Sequence, residues 1–217
     1  MAEPDNRCRI VLVAPPIENV EDLATAIRDA LSGGDVATLI LPQYGLGDDA
    51  FQALAERVVP IAQQADVAAI IAGDTRVAGR VKADGLHLET TPAEIGEAVE
   101  KFAPKLIVGA GRIKDRHTAL EIGEARPDYV FFGKLDGDIK PEAHSKNLDL
   151  AEWWAAMIEI PCIVMCGLDI ASVEEVAKTG AEFVALRQAI FQHPSGPALA
   201  VAEANALLAE KAPRFET

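Results

Sequence analysis

Basic residues are scarce in this sequence. Its 217 residues include 20 Lys and Arg against 34 Asp and Glu, which gives a net charge of −14 at pH 7 and an isoelectric point near 4.7. Nucleic-acid binding needs Lys and Arg clustered on a basic face, where they neutralise phosphates. The composition therefore argues against nucleic acid as a partner, although it leaves a local basic pocket open.

Cysteines and long apolar runs are also few. The three cysteines, Cys8, Cys162 and Cys166, cannot form a disulfide framework, which is typical of a protein from a reducing cytoplasm. No run approaches the ~18 apolar residues of a membrane span, and the first ten residues lack the apolar core of a signal peptide. We therefore expect a soluble, cytoplasmic protein without a membrane partner.

Strand-like and helix-like patterns alternate along the chain. Short apolar runs predict eight strands at 8–14, 36–41, 67–72, 85–88, 105–108, 129–132, 162–165 and 183–186. Helical patterns predict helices at 20–31, 74–82, 92–102, 150–158 and 197–211. Three more are predicted from Asp48 or Asp49 to Gln64, from Asp115 or Thr118 to Glu124, and between Ser172 and Gly180. In the predicted helix after the seventh strand, Ser172 is the expected N-cap, and Thr91 is expected to cap the helix that starts at Pro92.

Eight strands, each followed by a helix at a spacing near 25 residues, predict an α/β fold, and the count of eight predicts a closed (β/α)₈ TIM barrel. We expect one TIM-barrel domain over residues 1–217, with the polar stretch 136–147 as a loop inside it. A doubly wound open sheet is the alternative. It usually has a glycine-rich turn after its first strand, where this chain has Ala14, Pro15 and Pro16.

The active site of a barrel lies at the carboxyl ends of its strands. Glycines and charged residues recur at these positions, and the candidates for substrate binding are Gly109, Gly111, Gly133, Gly167, Leu168, Arg187 and Gln188. Backbone N–H groups after the seventh and eighth strands commonly hold a phosphate, and Gly167, Arg187 and Gln188 occupy those places. In the alternative interpretation, Gly167 only ends a strand and Arg187 is a solvated surface charge.

Five further residues could carry chemistry. Asp74 could bind Mg²⁺ through a diphosphate, or could simply cap the helix that it precedes. His87 alternates with apolar residues in a strand, so it is either a catalytic acid/base or a core histidine. Glu89 and Lys134 follow strand ends and are candidate acid/base groups or ligands. Cys166 could be a nucleophile, but no histidine is paired with it locally and cysteine is more often a small core residue.

Four segments together resemble the family of thiamin phosphate synthase and its relative the thiazole tautomerase. They are KADGLHLE (82–89), KLIVGAG (105–111), PDYVFFGKL (127–135) and PCIVMCGLDIASVEEVAKTGAEFVALRQAIF (161–191). The resemblance implies a phosphate-binding barrel of thiamin biosynthesis. It also implies that Gly167 and the backbone at Arg187 and Gln188 hold a thiazole phosphate, and that Asp74 binds Mg²⁺.

The sequence departs from the synthase pattern at several ligand positions. The family's diphosphate, metal and loop residues are replaced here by Ile40, Pro42, Tyr44, Gly73, Thr91, Gly111, Cys166 and the segment KLDGDIK. Much of the charge compensation for a diphosphate is therefore missing from its usual places. Nearby cations could substitute for it, and they are Arg112, Lys134, Lys140 and Lys146.

Three functions are compatible with this pattern. The leading hypothesis is a synthase that joins a pyrimidine diphosphate to a thiazole phosphate with loss of diphosphate, using Mg²⁺ at Asp74. The second is a tautomerase-like isomerase with His117 or His87 as its acid/base. The third is a non-catalytic barrel that only binds a phosphorylated ligand. In each case the partners are small phosphorylated heterocycles, and the oligomeric state, a homo-oligomer included, stays open.

Overall fold

The computed structural model describes residues 6–16 and 19–215. The outermost residues of the predicted 1–217 domain, 1–5 and 216–217, lie outside the described part. The strands are β1 (Arg9–Val13), β2 (Thr38–Pro42), β3 (Ala68–Ala72), β4 (Gly85–Leu88), β5 (Ile107–Ala110), β6 (Tyr129–Phe132), β7 (Cys162–Met165) and β8 (Phe183–Leu186). The helices are α1 (Val20–Leu31), α2 (Asp48–Gln64), α3 (Thr75–Val81), α4 (Pro92–Phe102), α5 (Arg116–Glu124), α6 (Ser145–Met157), α7 (Ser172–Ala177), α8 (Gln188–Phe191) and α9 (Pro197–Lys211).

The eight strands form a closed parallel barrel in chain order. Its closure is the pairing of β1 with β8, in which Ile10 lies opposite Val184 and Leu12 lies opposite Leu186. An open doubly wound sheet would leave β1 or β8 with an unpaired edge, so that alternative is wrong. The predicted (β/α)₈ TIM barrel is confirmed.

Side chains alternate between two apolar layers along each strand. In β1, Ile10 and Leu12 pack outward in the cluster that joins the barrel to its helices, whereas Val11 and Val13 pack in the barrel interior. All four are fully buried. Because side chains alternate, every second strand residue points into the barrel interior. The residues that follow the strands lie at the mouth of the barrel.

Seven elements have the predicted bounds, namely α1, β4, α4, β6, β7, β8 and α9, and α2 begins at Asp48, one of its two predicted starts. Three local differences bear on the site. Helix α6 begins at Ser145 rather than 150, because His144 caps it by accepting a hydrogen bond from Lys146 N at 3.2 Å. Strand β5 lies two residues later than predicted, so Gly109 is inside the strand instead of after it. The four-residue helix α8 has no counterpart in the prediction.

Ser172 is not the N-cap of α7, which corrects the prediction. Ala171 is the N-cap, and Ser172 is the first helical residue. The Ser172 hydroxyl donates to Asp169 O at 2.6 Å and accepts from Gly167 N at 3.0 Å. The serine therefore ties the turn after β7 together instead of capping the helix. Within residues 6–16 and 19–215, no helix is long and apolar enough to cross a membrane.

Candidate functional site

A cavity of about 570 Å³ opens at the carboxyl ends of the strands. Its walls come from residues that end or follow β2 to β6. The polar side chains that line it include Gln43, His87, Glu89, Arg112, Lys134 and Asp136. The predicted location of the site, at the mouth of the barrel, thus holds a cavity large enough for a small ligand.

His87 lies at the floor of this cavity, inside the barrel. Its Nδ1 is 3.0 Å from the Tyr129 hydroxyl, and the two rings stack with centroids 5.8 Å apart. Its Nε2 is 4.0 Å from Glu89 Oε1 and has no hydrogen-bond partner among the described residues. Burial lowers the pKa of His87 from 6.5 to about 4. The imidazole is therefore neutral at pH 7, and a charged role is excluded there.

Tyr129 is a partner of His87 that the sequence pattern did not identify, because in β6 it looks like any other core aromatic. Its ring occupies the space beside Gly109, where a Cβ would lie 1.9 Å from Tyr129 Cζ. Gly111 leaves space for the histidine in the same way, since a Cβ added to Gly111 would lie 2.6 Å from His87 Nε2. Both glycines make room for buried protein side chains, and Gly109 is separated from the cavity.

Four charged side chains face one another across the cavity. Burial and the nearby Asp136 raise the pKa of Glu89, while Arg112 and Lys134 act against that rise. Lys134 follows Gly133, whose φ of +119° turns the chain at the end of β6. A side chain at Gly133 would also lie 2.8 Å from Met165 Cβ. The mouth thus carries two cations and two carboxylates, which suits a ligand with both positive and negative parts.

Asp74 caps α3 and is bound by an arginine. Its Oδ1 accepts from Arg76 N at 2.8 Å, and Oδ2 accepts from Arg76 Nε at 2.9 Å. These bonds lower the pKa of Asp74 to about 2. The same guanidinium reaches Asp48 at 3.2 Å. The capping interpretation of Asp74 is therefore confirmed, and a metal ion there would have to replace Arg76.

The backbone after β7 is covered by the loop between β6 and α6. We call residues 133–144 the β6–α6 loop. Leu168 N donates to Lys140 O at 2.7 Å, and Asp169 N donates to Pro141 O at 3.1 Å. A Cβ on Gly167 would lie 2.0 Å from Pro141 O. Two N–H groups after β7 are thus bonded to protein carbonyls, and Gly167 allows the close approach of the loop.

Arg187 and Gln188, after β8, hold the side chain of Asp138. Arg187 Nε donates to Asp138 Oδ1 at 2.8 Å, and Arg187 Nη2 donates to the same oxygen. Gln188 N donates to Asp138 Oδ2 at 2.8 Å. Arg187 is 7% exposed, so it is not the solvated surface charge of the alternative interpretation. The place predicted for a phosphate after β8 is therefore occupied by a carboxylate of the chain.

Asp138 is a functional candidate that sequence reasoning missed. The loop was predicted only as a polar connection, and its acidic residues were not paired with Arg187 after β8. A signal was present, because a segment with Asp136 and Asp138 follows one strand of the barrel mouth and Arg187 follows another.

Two other predicted candidates lie apart from the cavity. His117 is on α5, with 84% of its side chain exposed and Nε2 at 3.6 Å from Glu121 Oε1. Cys166 is a buried free thiol, as are Cys8 and Cys162. Burial raises the pKa of Cys166, which opposes formation of a nucleophilic thiolate. The structure therefore brings His87, Glu89 and Lys134 together, and leaves His117 outside this group.

Two solved structures show the same architecture. Thiamine phosphate pyrophosphorylase from Pyrococcus furiosus superposes with a TM-score of 0.76 at 22% identity, covering 95% of this chain and 98% of that one. A 3-hexulose-6-phosphate synthase superposes with a TM-score of 0.70 at 20% identity, covering 91% and 99%. At these identities the likeness shows the fold alone.

Sequence comparison is more specific. Thiamine-phosphate synthase of Rhodospirillum centenum is 32% identical over 93% of this chain and 98% of its own length. Thiamine-phosphate synthase of Hyphomonas neptunium is 33% identical over 95% and 96%. The profile of the thiamine monophosphate synthase family matches residues 10–190. This range contains β2 to β8 and all of β1 except Arg9. The chain therefore belongs to the thiamine monophosphate synthase family.

Proposed function

We propose that this chain is a thiamin phosphate synthase, which joins a pyrimidine diphosphate to a thiazole phosphate and releases diphosphate. The observation that carries the proposal is the near full-length match to synthases on a barrel with a cavity at its mouth. Its ligands would be small phosphorylated heterocycles. Because the three cysteines are free thiols, we also propose a cytoplasmic location, which cell fractionation would test.

Arg112 and Lys134 are the groups that we assign to the diphosphate. Both line the cavity, and neither makes a salt bridge within the part of the chain that the structure describes. As the bond between the pyrimidine methylene and the diphosphate breaks, negative charge grows on the leaving group, and cations at fixed positions stabilise it. These two residues would therefore lower the barrier to departure of the diphosphate.

Glu89 and Asp136 would act on the other product of that bond cleavage. Positive charge develops on the pyrimidine methylene, and carboxylates at the cavity wall stabilise it until the thiazole nitrogen attacks. His87 is neutral and buried beneath Glu89, so it would form the floor of the cavity without adding charge to it. No proton transfer is needed to form the new carbon–nitrogen bond.

Magnesium is implied by the family resemblance, but the described residues do not form a resident site for it. Residues 6–16 and 19–215 contain no group of three or more His, Cys, Asp or Glu arranged to hold a metal ion. Asp74 is already bound by Arg76. We therefore derive no step through a metal, and propose that any Mg²⁺ would arrive with the diphosphate. Calorimetric titration of Mg²⁺ with and without diphosphate would test this.

The synthase proposal predicts a defined response to loss of the two cations. Purified protein incubated with both substrates should form thiamin phosphate, detected as its fluorescent oxidation product. Arg112→Met and Lys134→Met should each lower kcat/KM for the pyrimidine diphosphate by about 100-fold, the usual effect of losing one electrostatic group at a reacting centre. The matched control is Lys105→Met, because Lys105 is exposed before β5 at the opposite end of the barrel.

Binding without turnover would contradict the synthase proposal and support a non-catalytic barrel. Proton exchange on thiazole phosphate alone would instead support an isomerase. Of the two histidines predicted for that second function, His117 is exposed on α5 and His87 is buried at the cavity floor with its pKa lowered to about 4.

A further inference from the structure

The β6–α6 loop is fastened over the barrel mouth on the side of β7 and β8. Besides its bonds to Leu168 and Asp169, it is held through Ala143 N, which donates to Glu175 Oε1 at 2.6 Å. The Gln188 side-chain amide donates to Asp138 O at 3.1 Å. This half of the mouth is therefore filled by the chain itself, and the 570 Å³ cavity occupies the other half.

Asp138 receives the bonds that an anionic ligand would receive. Its side chain is 1% exposed, and its two oxygens take donors from the Arg187 guanidinium and from Gln188 N. The residues on either side differ, since Asp136 and Ile139 are exposed, Ile139 by 74%. Among residues 136–139, only Asp138 is buried. The turn thus places the Asp138 carboxylate against the buried Arg187 guanidinium.

Arg187 needs an anion beside it. The guanidinium is 8% exposed in its side chain, and removal of the partner from a buried ion pair leaves an uncompensated charge at a large free-energy cost. Burial alone would lower the pKa of Arg187, yet Asp138 raises it above its usual value. A phosphate group carries the same sign of charge and accepts the same fork of N–H donors. Loss of the anion beside Arg187 would therefore cost free energy, and a group that replaces Asp138 must also be an anion.

We propose that Asp138 is an internal anion that competes with phosphate for the Arg187 site, so that a phosphate monoester enters only when Asp138 withdraws. In the synthase reaction that monoester would be the thiazole phosphate, and this part rests on the proposed function. The exchange itself is a property of Arg187, Gln188 and Asp138 and is independent of turnover. Asp138 thereby sets the affinity and selectivity of the acceptor site.

Withdrawal of Asp138 would also alter the other half of the mouth. Lys134 and Asp136 line the cavity and belong to the same loop as Asp138, and Gly137 N donates to Lys134 O at 2.9 Å within its turn. A displacement of this turn would move both charged side chains. Entry of the acceptor's phosphate is therefore coupled to the position of the groups that we assign to the diphosphate.

Inorganic phosphate is the probe that tests the exchange. Thermal unfolding is followed against phosphate concentration, with NaCl used to keep ionic strength constant, for wild type and for Asp138→Ala. The variant should be less stable than wild type without phosphate and should be restabilised by it. Its apparent Kd for phosphate should be at least about tenfold lower than that of wild type, because the internal competitor is gone.

Three further proteins make the result specific. Glu142→Ala changes an exposed carboxylate of the same loop that does not line the cavity, and it should respond to phosphate as wild type does. Asp138→Asn keeps the size of the side chain and should gain phosphate binding if Asp138→Ala does not fold. Arg187→Gln combined with Asp138→Asn should lose the gain, since the cation that binds phosphate is absent.

The proposal is overturned if folded Asp138 variants bind phosphate no more tightly than wild type does. Hydrogen exchange of the wild type gives a second measurement that needs no variant. At high phosphate, amides of residues 136–143 should exchange faster, and unchanged exchange would contradict displacement of the loop. A positive phosphate result without thiamin phosphate formation would leave the exchange standing and remove only the proposed function.

Discussion

His87 is fully buried and uses only one of its two ring nitrogens for a hydrogen bond within the described residues. Burial lowers its pKa from 6.5 to about 4, so at pH 5 the histidine is protonated in the unfolded chain and neutral in the folded protein. Between pH 6.5 and 4 the unfolded state binds more protons than the folded state. The free energy of unfolding should therefore fall as pH decreases through this window, by up to about 3 kcal/mol.

The variant His87→Asn should remove this contribution, so that its unfolding free energy depends less steeply on pH between 6.5 and 4. Urea denaturation at several pH values measures the slope, which is informative even if the variant is less stable at every pH. His117→Asn is the matched control, because it makes the same change where 84% of the side chain is exposed. An unchanged slope in His87→Asn would contradict the prediction.

Individual roles were predictable where a residue's position in a strand decides its environment. Strand alternation left His87 open between a core and a catalytic role, and the structure shows it buried on Tyr129 at the floor of the cavity. Arg187 was correctly placed at the barrel mouth. Its partner Asp138 could not be predicted, since the contact joins residues 49 positions apart through a loop without periodicity.

Local capping stabilises α4 next to the cavity. Thr91 Oγ1 accepts from Glu94 N at 3.4 Å, while Glu94 Oε2 accepts from Thr91 N at 3.1 Å. Thr91→Ala should lower the free energy of unfolding by about 1 kcal/mol, because one N–H group at the helix start loses its partner. Thr91→Ser should retain most of the stability.

Chemical denaturation would measure this effect, with Glu97→Ala as control. Glu97 is an exposed residue within the same helix and makes no part of the cap. A loss in Glu97→Ala equal to that in Thr91→Ala would show that the cap is not the cause.

The start of α4, which has strong capping signals, was predicted to the residue, whereas the start of α6 was not. The Thr91 and Pro92 pair marked the start of α4, and Thr91 caps this helix as expected. The start of α6 was missed because its first turn, Ser145 to Asn147, is polar and its cap is a histidine, a residue outside the usual capping set. Ser172 was misread because a serine before a helix can bond to the preceding turn as well as to the helix.

At the scale of the whole molecule, the alternation of strand and helix patterns was enough to predict the closed barrel. Eight parallel strands with crossover helices can bury both faces of the sheet by closing it. The shape of the mouth was not predictable in the same way. Which half stays open depends on the path of the β6–α6 loop, and that path is determined by tertiary contacts at Gly167, Glu175 and Arg187.

The last helix closes the outer layer of the molecule by packing against the end of α1. A Cβ on Gly33 would lie 2.2 Å from Ala198 O and 2.9 Å from Val201 Cβ, so the absence of a side chain permits α9 to dock. Gly33→Ala should force the two apart and lower the free energy of unfolding by about 1–3 kcal/mol. The buried face of α9 would then be partly exposed, which should also increase cleavage of the C-terminal segment by protease.

Gly79→Ala provides the matched control, because it makes the same chemical change in the middle of α3 with nothing within 4 Å of the new Cβ. There the substitution should stabilise the protein by about 0.5–1 kcal/mol, since alanine favours a helix over glycine. Urea denaturation of both variants should thus give effects of opposite sign. If Gly33→Ala were neutral or stabilising as well, the close contact between α1 and α9 would not constrain this position, and the docking of the last helix would rest on its apolar face alone.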